Sequence, residues 1–137
     1  MVQFSGSIIL FTLLRRDKPV DKIVLVTDAL KPTEQQRGPF IANGEEVLLR
    51  DGVFHRTIDD VIAGSSLTMI RGIQNLIRFG FSLEEAVKTA STNPAQVMRF
   101  ARRGTIIPGN EADLVVFDTQ FQVLATVVGG IIKKNLL

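Results

Sequence analysis

At 137 residues the chain has the size of one domain and can bury a substantial core, but it is far shorter than the about 250 residues of a closed eight-stranded α/β barrel. With 45% hydrophobic and 22% charged residues it has the composition of an ordinary soluble protein with an aliphatic core, neither disordered nor fibrous. The net charge of +2 is too small to argue for nucleic acid, and zero cysteines exclude disulfides and thiolate metal sites, which fits a reducing, cytoplasmic compartment and leaves only carboxylates and one His as metal ligands.

In chain order, Phe4, Ile8, Phe11 and Leu14 recur at helical spacing, and Arg15-Arg16 followed by Pro19 mark the end of a predicted opening helix. The apolar stretch Ile8–Leu14 is too short to span a bilayer, and its positive charges follow it instead of preceding it, so no membrane or signal-peptide role is expected. The run Lys22-Ile23-Val24-Leu25-Val26-Thr27-Asp28-Ala29 comes next. Its unbroken apolar, β-branched character predicts a strand covered on both faces, as in a parallel sheet flanked by helices. Ligands in such sheets sit beyond the carboxyl ends of the strands, which makes Asp28 a candidate catalytic residue; a turn-starting or loop-capping aspartate is the plainer alternative. A strand buried on both faces needs neighbours, and nothing upstream supplies them, so the chain reads as if it starts inside a fold.

Residues 30–38, with Pro32, Thr33, two Gln and Gly38, have loop composition. Phe40-Ile41-Ala42, Glu46–Leu49 and Val53-Phe54 are then separated by Asn43-Gly44 and Asp51-Gly52, strong short hairpin signals, and predict an antiparallel meander. Ile62-Ala63-Gly64-Ser65-Ser66 leads into a helix whose apolar stripe is Met69, Ile70, Ile73, Leu76 and Ile77, with Ser65 or Ser66 as N-cap. Free backbone N–H groups at this junction form a second candidate site for an anionic or carbonyl group, against the alternative of a plain serine cap. Ser82-Leu83-Glu84-Glu85 reads as a capping box, and Asn93-Pro94 as the N-cap and first position of a helix running to about Arg102. Neither is given a catalytic role. The tail changes period: Pro108-Gly109-Asn110 is a turn, 112–118 and 122–128 are strands, and Gly129-Gly130 links the second to Ile131–Lys134 as a hairpin. A boundary falls near Arg103 to Gly104, dividing the chain into 1–103 and 104–137.

These motifs, in this order, resemble the N-acetylglucosamine-6-phosphate deacetylases of the amidohydrolase superfamily. The matching stretches are Leu25-Val26-Thr27-Asp28-Ala29, then Ile62–Met69, then Ser91-Thr92-Asn93-Pro94-Ala95, and finally Gly104–Asp118. The last is shared widely among amidohydrolases; the Ala-Gly-Ser-Ser-Leu-Thr-Met stretch after a Thr-Asp-Ala strand is the more specific. The resemblance implies a C-terminal portion of the enzyme with an α/β fold: the last strand and helices of a partial (β/α)8 TIM barrel, a β-meander inserted after the strand, and C-terminal strands of a small β-sandwich. It implies that Asp28 is general base toward a metal-activated water and general acid toward the leaving amine, and that Ile62, Ala63 and Gly64 line the sugar-phosphate pocket. It also implies a divalent metal of the zinc or iron class in the intact enzyme, held by a Glu and two His.

The sequence departs from that pattern at the metal. Its only histidine, His55, lies in the meander outside any matching motif, and no Glu falls at the ligating position. The expectation is therefore a chain without a bound metal, inactive in the deacetylation of N-acetylglucosamine 6-phosphate unless an N-terminal polypeptide complements it, and prone to self-association through unpaired strand edges. The rival expectations are a non-catalytic α+β binding or scaffold domain, and a fragment of an amidohydrolase of other specificity.

Overall fold

The computed structural model describes residues 16–30 and 39–136; the predicted opening helix and most of the loop after Asp28 lie outside them. Asn43-Gly44 and Asp51-Gly52 build the first sheet. Both residues of each pair have positive φ (53° and 82°, then 51° and 82°), the twist that two-residue hairpins require and that Asn, Asp and Gly tolerate. They join β1 (Pro39–Ala42), β2 (Glu45–Arg50) and β3 (Val53–Arg56) into the expected antiparallel meander. Phe40 faces Val47 and Leu49 faces Phe54 across the strands, with the Phe40 and Phe54 rings edge-to-face at 6.0 Å. Ala42, Val47 and Phe54 form this sheet's buried core, with Leu30 and Ala63 packed against it.

The meander has a fourth strand that the sequence does not announce. β4 (Ile62–Ser65) pairs antiparallel with β3, Phe54 against Gly64 and Val53 against Ser65, where a loop-to-helix junction is expected. Gly and Ser have poor strand propensity, so the pairing is imposed by tertiary contacts on both sides of the segment rather than by its own residues.

Three helices follow: α1 (Met69–Arg78), α2 (Leu83–Ala90) and α3 (Thr92–Val97). Ile73 and Leu76 of α1, Phe81 and Ala86 make a second core that Val20, Ile23, Leu25 and Phe121 complete. The Ser82 capping box is formed: its hydroxyl accepts from the Glu85 N–H at 3.1 Å, and the Glu85 carboxylate accepts from the Ser82 N–H at 2.8 Å. Two predicted caps are not. The N-cap of α1 is Thr68, not Ser65 or Ser66, and that of α3 is Ser91, not Asn93; α3 also stops at Val97, short of Arg102. In each case the expected capping side chain is drawn to a distant partner instead.

The tail is a three-stranded antiparallel sheet of β5 (Leu114–Phe117), β6 (Val123–Val128) and β7 (Ile131–Asn135), turned through Gly129 and Gly130 at φ 56° and 81°. Ion pairs from Arg102 and Arg103 to Glu111 fasten its leading edge to the end of the helical layer. The Glu111 hydrogen bond raises the Arg103 pKa further. The described chain is thus an α/β arrangement with two antiparallel sheets and three helices.

The run 22–29 departs from its expected form. After a 3-10 turn (Val20–Lys22) the backbone is extended but belongs to neither sheet, and its sole ladder contact among the described residues is a parallel bridge from Ala29 to Ser65. Burial alternates instead of covering both faces. Ile23 and Leu25 pack on the helical core, whereas Val24 is 38% and Val26 72% exposed. Only one flank of the run has a neighbour among the described residues, so half of its apolar pattern is left facing outward.

Candidate functional site

The extended run is anchored at both ends. At its start the Asn93 side-chain amide donates to the carbonyls of Val20 and Ile23, both at 2.7 Å, and the Leu25 N–H donates to the Thr89 carbonyl at 2.9 Å. At its end β4 takes over: the Ser65 N–H donates to the Asp28 carbonyl at 2.8 Å, the Leu30 N–H donates to the Ser65 carbonyl at 3.1 Å, and the Ser65 hydroxyl donates to the Thr27 carbonyl. The same hydroxyl accepts from the Leu67 N–H at 3.0 Å. Ser65 therefore ties the Asp28 backbone to the entrance of α1 with both its main chain and its side chain.

This approach depends on Gly64. A Cβ at that position would lie 2.8 Å from the Asp28 carbonyl oxygen and 2.8 Å from the Leu30 side chain, closer than non-bonded atoms can sit. Any larger residue must push Asp28 or Leu30 away.

Asp28 itself has φ of 52°, in the left-handed region that Asp and Asn enter more readily than other non-glycine residues. The Thr27 hydroxyl accepts from the next N–H, that of Ala29, at 3.3 Å, a local turn around the aspartate. Asp28 is exposed, and its carboxylate has no hydrogen-bond or ion-pair partner among the described residues. A carboxylate with a fixed backbone and unused acceptor oxygens can take up and return a proton at whatever is placed before it.

The two stretches singled out from the sequence as separate candidates thus form one place. Gly64 and Ser65 touch Asp28 directly. Ala63 is committed to the core of the meander, and Ile62 is 66% exposed at the far end of β4, opposite His55. The expected free N–H groups at the junction are not free: those of Ser65, Ser66 and Leu67 donate to the Asp28 carbonyl, the Gly52 carbonyl and the Ser65 hydroxyl. The long-range hydrogen bonds of the Ser65 hydroxyl and the Asn93 amide are not legible in the sequence, because each residue carries an ordinary capping signal and these partners lie 38 or more residues away.

The metal implied by the resemblance finds no ligand set here. No group of three His, Asp or Glu side chains gathers among the described residues, and His55 Nδ1 is engaged with the Asp60 carbonyl at 3.1 Å. The described residues do not fit a metal centre.

A profile of the amidohydrolase family matches residues 10–134. Curated relatives include the N-acetylglucosamine-6-phosphate deacetylase of Haemophilus influenzae, 32% identical over 89% of this chain and 33% of its own length. A putative N-acetylgalactosamine-6-phosphate deacetylase of Escherichia coli K12 is 32% identical over 75% of this chain and 62% of its own length. Among solved structures, the N-acetylglucosamine-6-phosphate deacetylases of Thermotoga maritima and Pasteurella multocida superpose with TM-scores of 0.82 and 0.85, at 30% and 29% identity. They cover 91% and 93% of this chain but only 34% of their own, so the chain spans about a third of the length of these enzymes.

Proposed function

The chain belongs to the amidohydrolase family, and from that premise we propose that it supplies the proton-transferring aspartate and part of the sugar-phosphate pocket of an N-acetylglucosamine-6-phosphate deacetylase. The observation that carries this reading is the carboxylate of Asp28, without a partner among the described residues, on a backbone locked by Gly64 and Ser65. Both stretches are ones on which the resemblance to the deacetylases rests, and Gly64 and Ser65 lie in contact with Asp28.

The reaction needs one group that works twice. Water attacks the acetamide carbonyl as Asp28 takes its proton; the C–N bond of the tetrahedral intermediate then breaks as Asp28 returns that proton to the departing amine, giving acetate and glucosamine 6-phosphate. Backbone groups of Ile62, Ala63 and Gly64 border the bound substrate, while the Ala63 side chain stays in the meander core. The extended run 23–27 serves as the last barrel strand, with 104–137 as part of a small β-sandwich. The remaining barrel strands, with the divalent metal that the family implies, come from polypeptide beyond the described residues, so these residues alone do not turn over substrate.

The surface supports an incomplete site. Val26, Ile41 and Ile62 are among the large apolar side chains left uncovered.

The test is deacetylation by the purified chain, alone and mixed with a polypeptide corresponding to the remaining two-thirds of a relative. Activity is expected only on mixing, and Asp28→Asn should reduce it by roughly 10²- to 10⁴-fold, the usual size of a general acid–base contribution. Turnover by the chain alone, or a mixed activity indifferent to Asp28→Asn, overturns the proposal.

A further inference from the structure

A second feature lies away from Asp28. Between α1 and the tail sheet runs a groove of about 410 Å³ whose lining includes Thr68, Arg71, Gln74, Asn75 and Arg78 on one side and Lys134 of β7 on the other. Three of these are cations, and no carboxylate lines the groove.

The helix arranges them. Arg71, Gln74, Asn75 and Arg78 stand at i, i+3, i+4 and i+7, so they share one stripe of α1, while Ile73 and Leu76 occupy the buried one. An exposed polar stripe normally faces open water. Here it looks across at another part of the chain, and the Gln74 amide donates to the Gln120 carbonyl at 3.4 Å, bridging helix to sheet.

Much of the charge elsewhere is compensated, although Lys18, Lys88, Arg99 and Lys133 have no ion pair among the described residues. Arg16, Arg50, Arg56, Arg102 and Arg103 each have a carboxylate partner, and Lys22 has Asp21. Arg71, Arg78 and Lys134 have neither an ion pair nor a side-chain hydrogen bond among the described residues. Three exposed cations with no ion pair among the described residues, beside neutral amide and hydroxyl donors, make the potential of this open groove positive, and guanidinium groups bind tetrahedral oxyanions through paired N–H donors.

We propose that this groove binds the phosphoryl group of a small molecule, either free phosphate or a phosphate monoester, at a site separate from Asp28 and independent of the deacetylase reading. Its volume suits a small metabolite rather than a polymer.

The experiment is titration of the full chain with inorganic phosphate, and in a parallel arm with glucose 6-phosphate, at fixed ionic strength, followed by calorimetry and by ¹H–¹⁵N shifts. Saturable binding that perturbs the side-chain amides of Gln74 and Asn75 is expected, and the tighter arm identifies the source of the phosphoryl group. The double variant Arg71→Gln, Arg78→Gln should weaken binding by about tenfold or more, whereas Lys88→Gln, which removes an exposed cation from α2, should change it less than about twofold. These surface changes touch neither core, and circular dichroism checks the fold. Absence of saturation, equal weakening by Lys88→Gln, or shifts centred on residues 64–66 instead of 74–75 would overturn the assignment.

Discussion

Asn93 is the hinge-pin of the segment that carries Asp28, and its removal can be reasoned through in numbers. The side chain is 1% exposed; its amide nitrogen makes two hydrogen bonds of 2.7 Å, to the Val20 and Ile23 carbonyls, while its Oδ1 has no partner. Asn93→Ala deletes both bonds, each with a net contribution of about 0.5–1.5 kcal/mol, and leaves two carbonyls short of a donor. It also relieves the burial of the unpaired Oδ1, which offsets part of the loss. A net destabilisation of about 2 kcal/mol results, lowering the urea midpoint by about 1 M for an ordinary dependence on denaturant. Asn93→Asp keeps the shape but turns the donor into an acceptor against two carbonyl oxygens. Its ionised form is repelled, so its folded-state pKa is pushed above the unfolded carboxylate value. The protonated form is tolerated at acid pH, and stability falls as pH rises through the unfolded value of about 3.9 toward the folded one. Urea titrations of both variants across pH 3 to 7 supply the check. The reasoning is refuted if Asn93→Ala stays within about 0.5 kcal/mol of the parent chain, or if Asn93→Asp shows no greater pH dependence than Asn93→Ala.

Two further expectations concern the entrance of the site and the meander. Gly64→Ala places a methyl 2.8 Å from the Asp28 carbonyl, an overpacking cost of about 1–3 kcal/mol, and should speed exchange of the Ser65 amide that donates to that carbonyl; unchanged protection would refute the close approach. The Asp59 carboxyl is held below its ordinary pKa first by the side-chain hydrogen bond from Arg56, against an opposing effect of burial, and it accepts the Val61 N–H at 3.2 Å. A depressed folded-state pKa means stabilisation present at neutral pH and lost as pH falls through that value, so the Val61 amide shift should titrate in acid and cease to do so in Asp59→Asn. A titration indifferent to that substitution would remove the explanation.

Local signals carried much of the fold. Asn43-Gly44, Asp51-Gly52 and Gly129-Gly130 place their hairpins because the constraint, positive φ at two adjacent residues, is met by the dipeptide itself. Ser82 and Glu85 satisfy one another within a single helical turn and are legible for the same reason. Where a side chain serves two possible masters, the sequence shows only the near one. Asn93 before Pro94 has the form of a helix cap, and Ser65 before an apolar stripe has the form of another, yet Asn93 binds carbonyls 70 and 73 residues away and Ser65 one 38 residues away.

The run 22–29 shows the same limit in its apolar pattern. Hydrophobic residues on both faces state that both faces are suited to burial, not that this length of chain contains what buries them. Ile23 and Leu25 find α1 and α2, and Gly72 admits Leu25 so closely that a Cβ there would lie 3.0 Å from its side chain. Val24 and Val26 find nothing comparable among the described residues. The exposed half of the pattern fits a covering layer built from residues other than the described ones. The mixing experiment therefore also tests the burial argument: a polypeptide that restores deacetylation through Asp28 should protect the Val24 and Val26 amides from exchange. Activity restored without that protection would show that the partner docks elsewhere and that the outward valines are no strand interface.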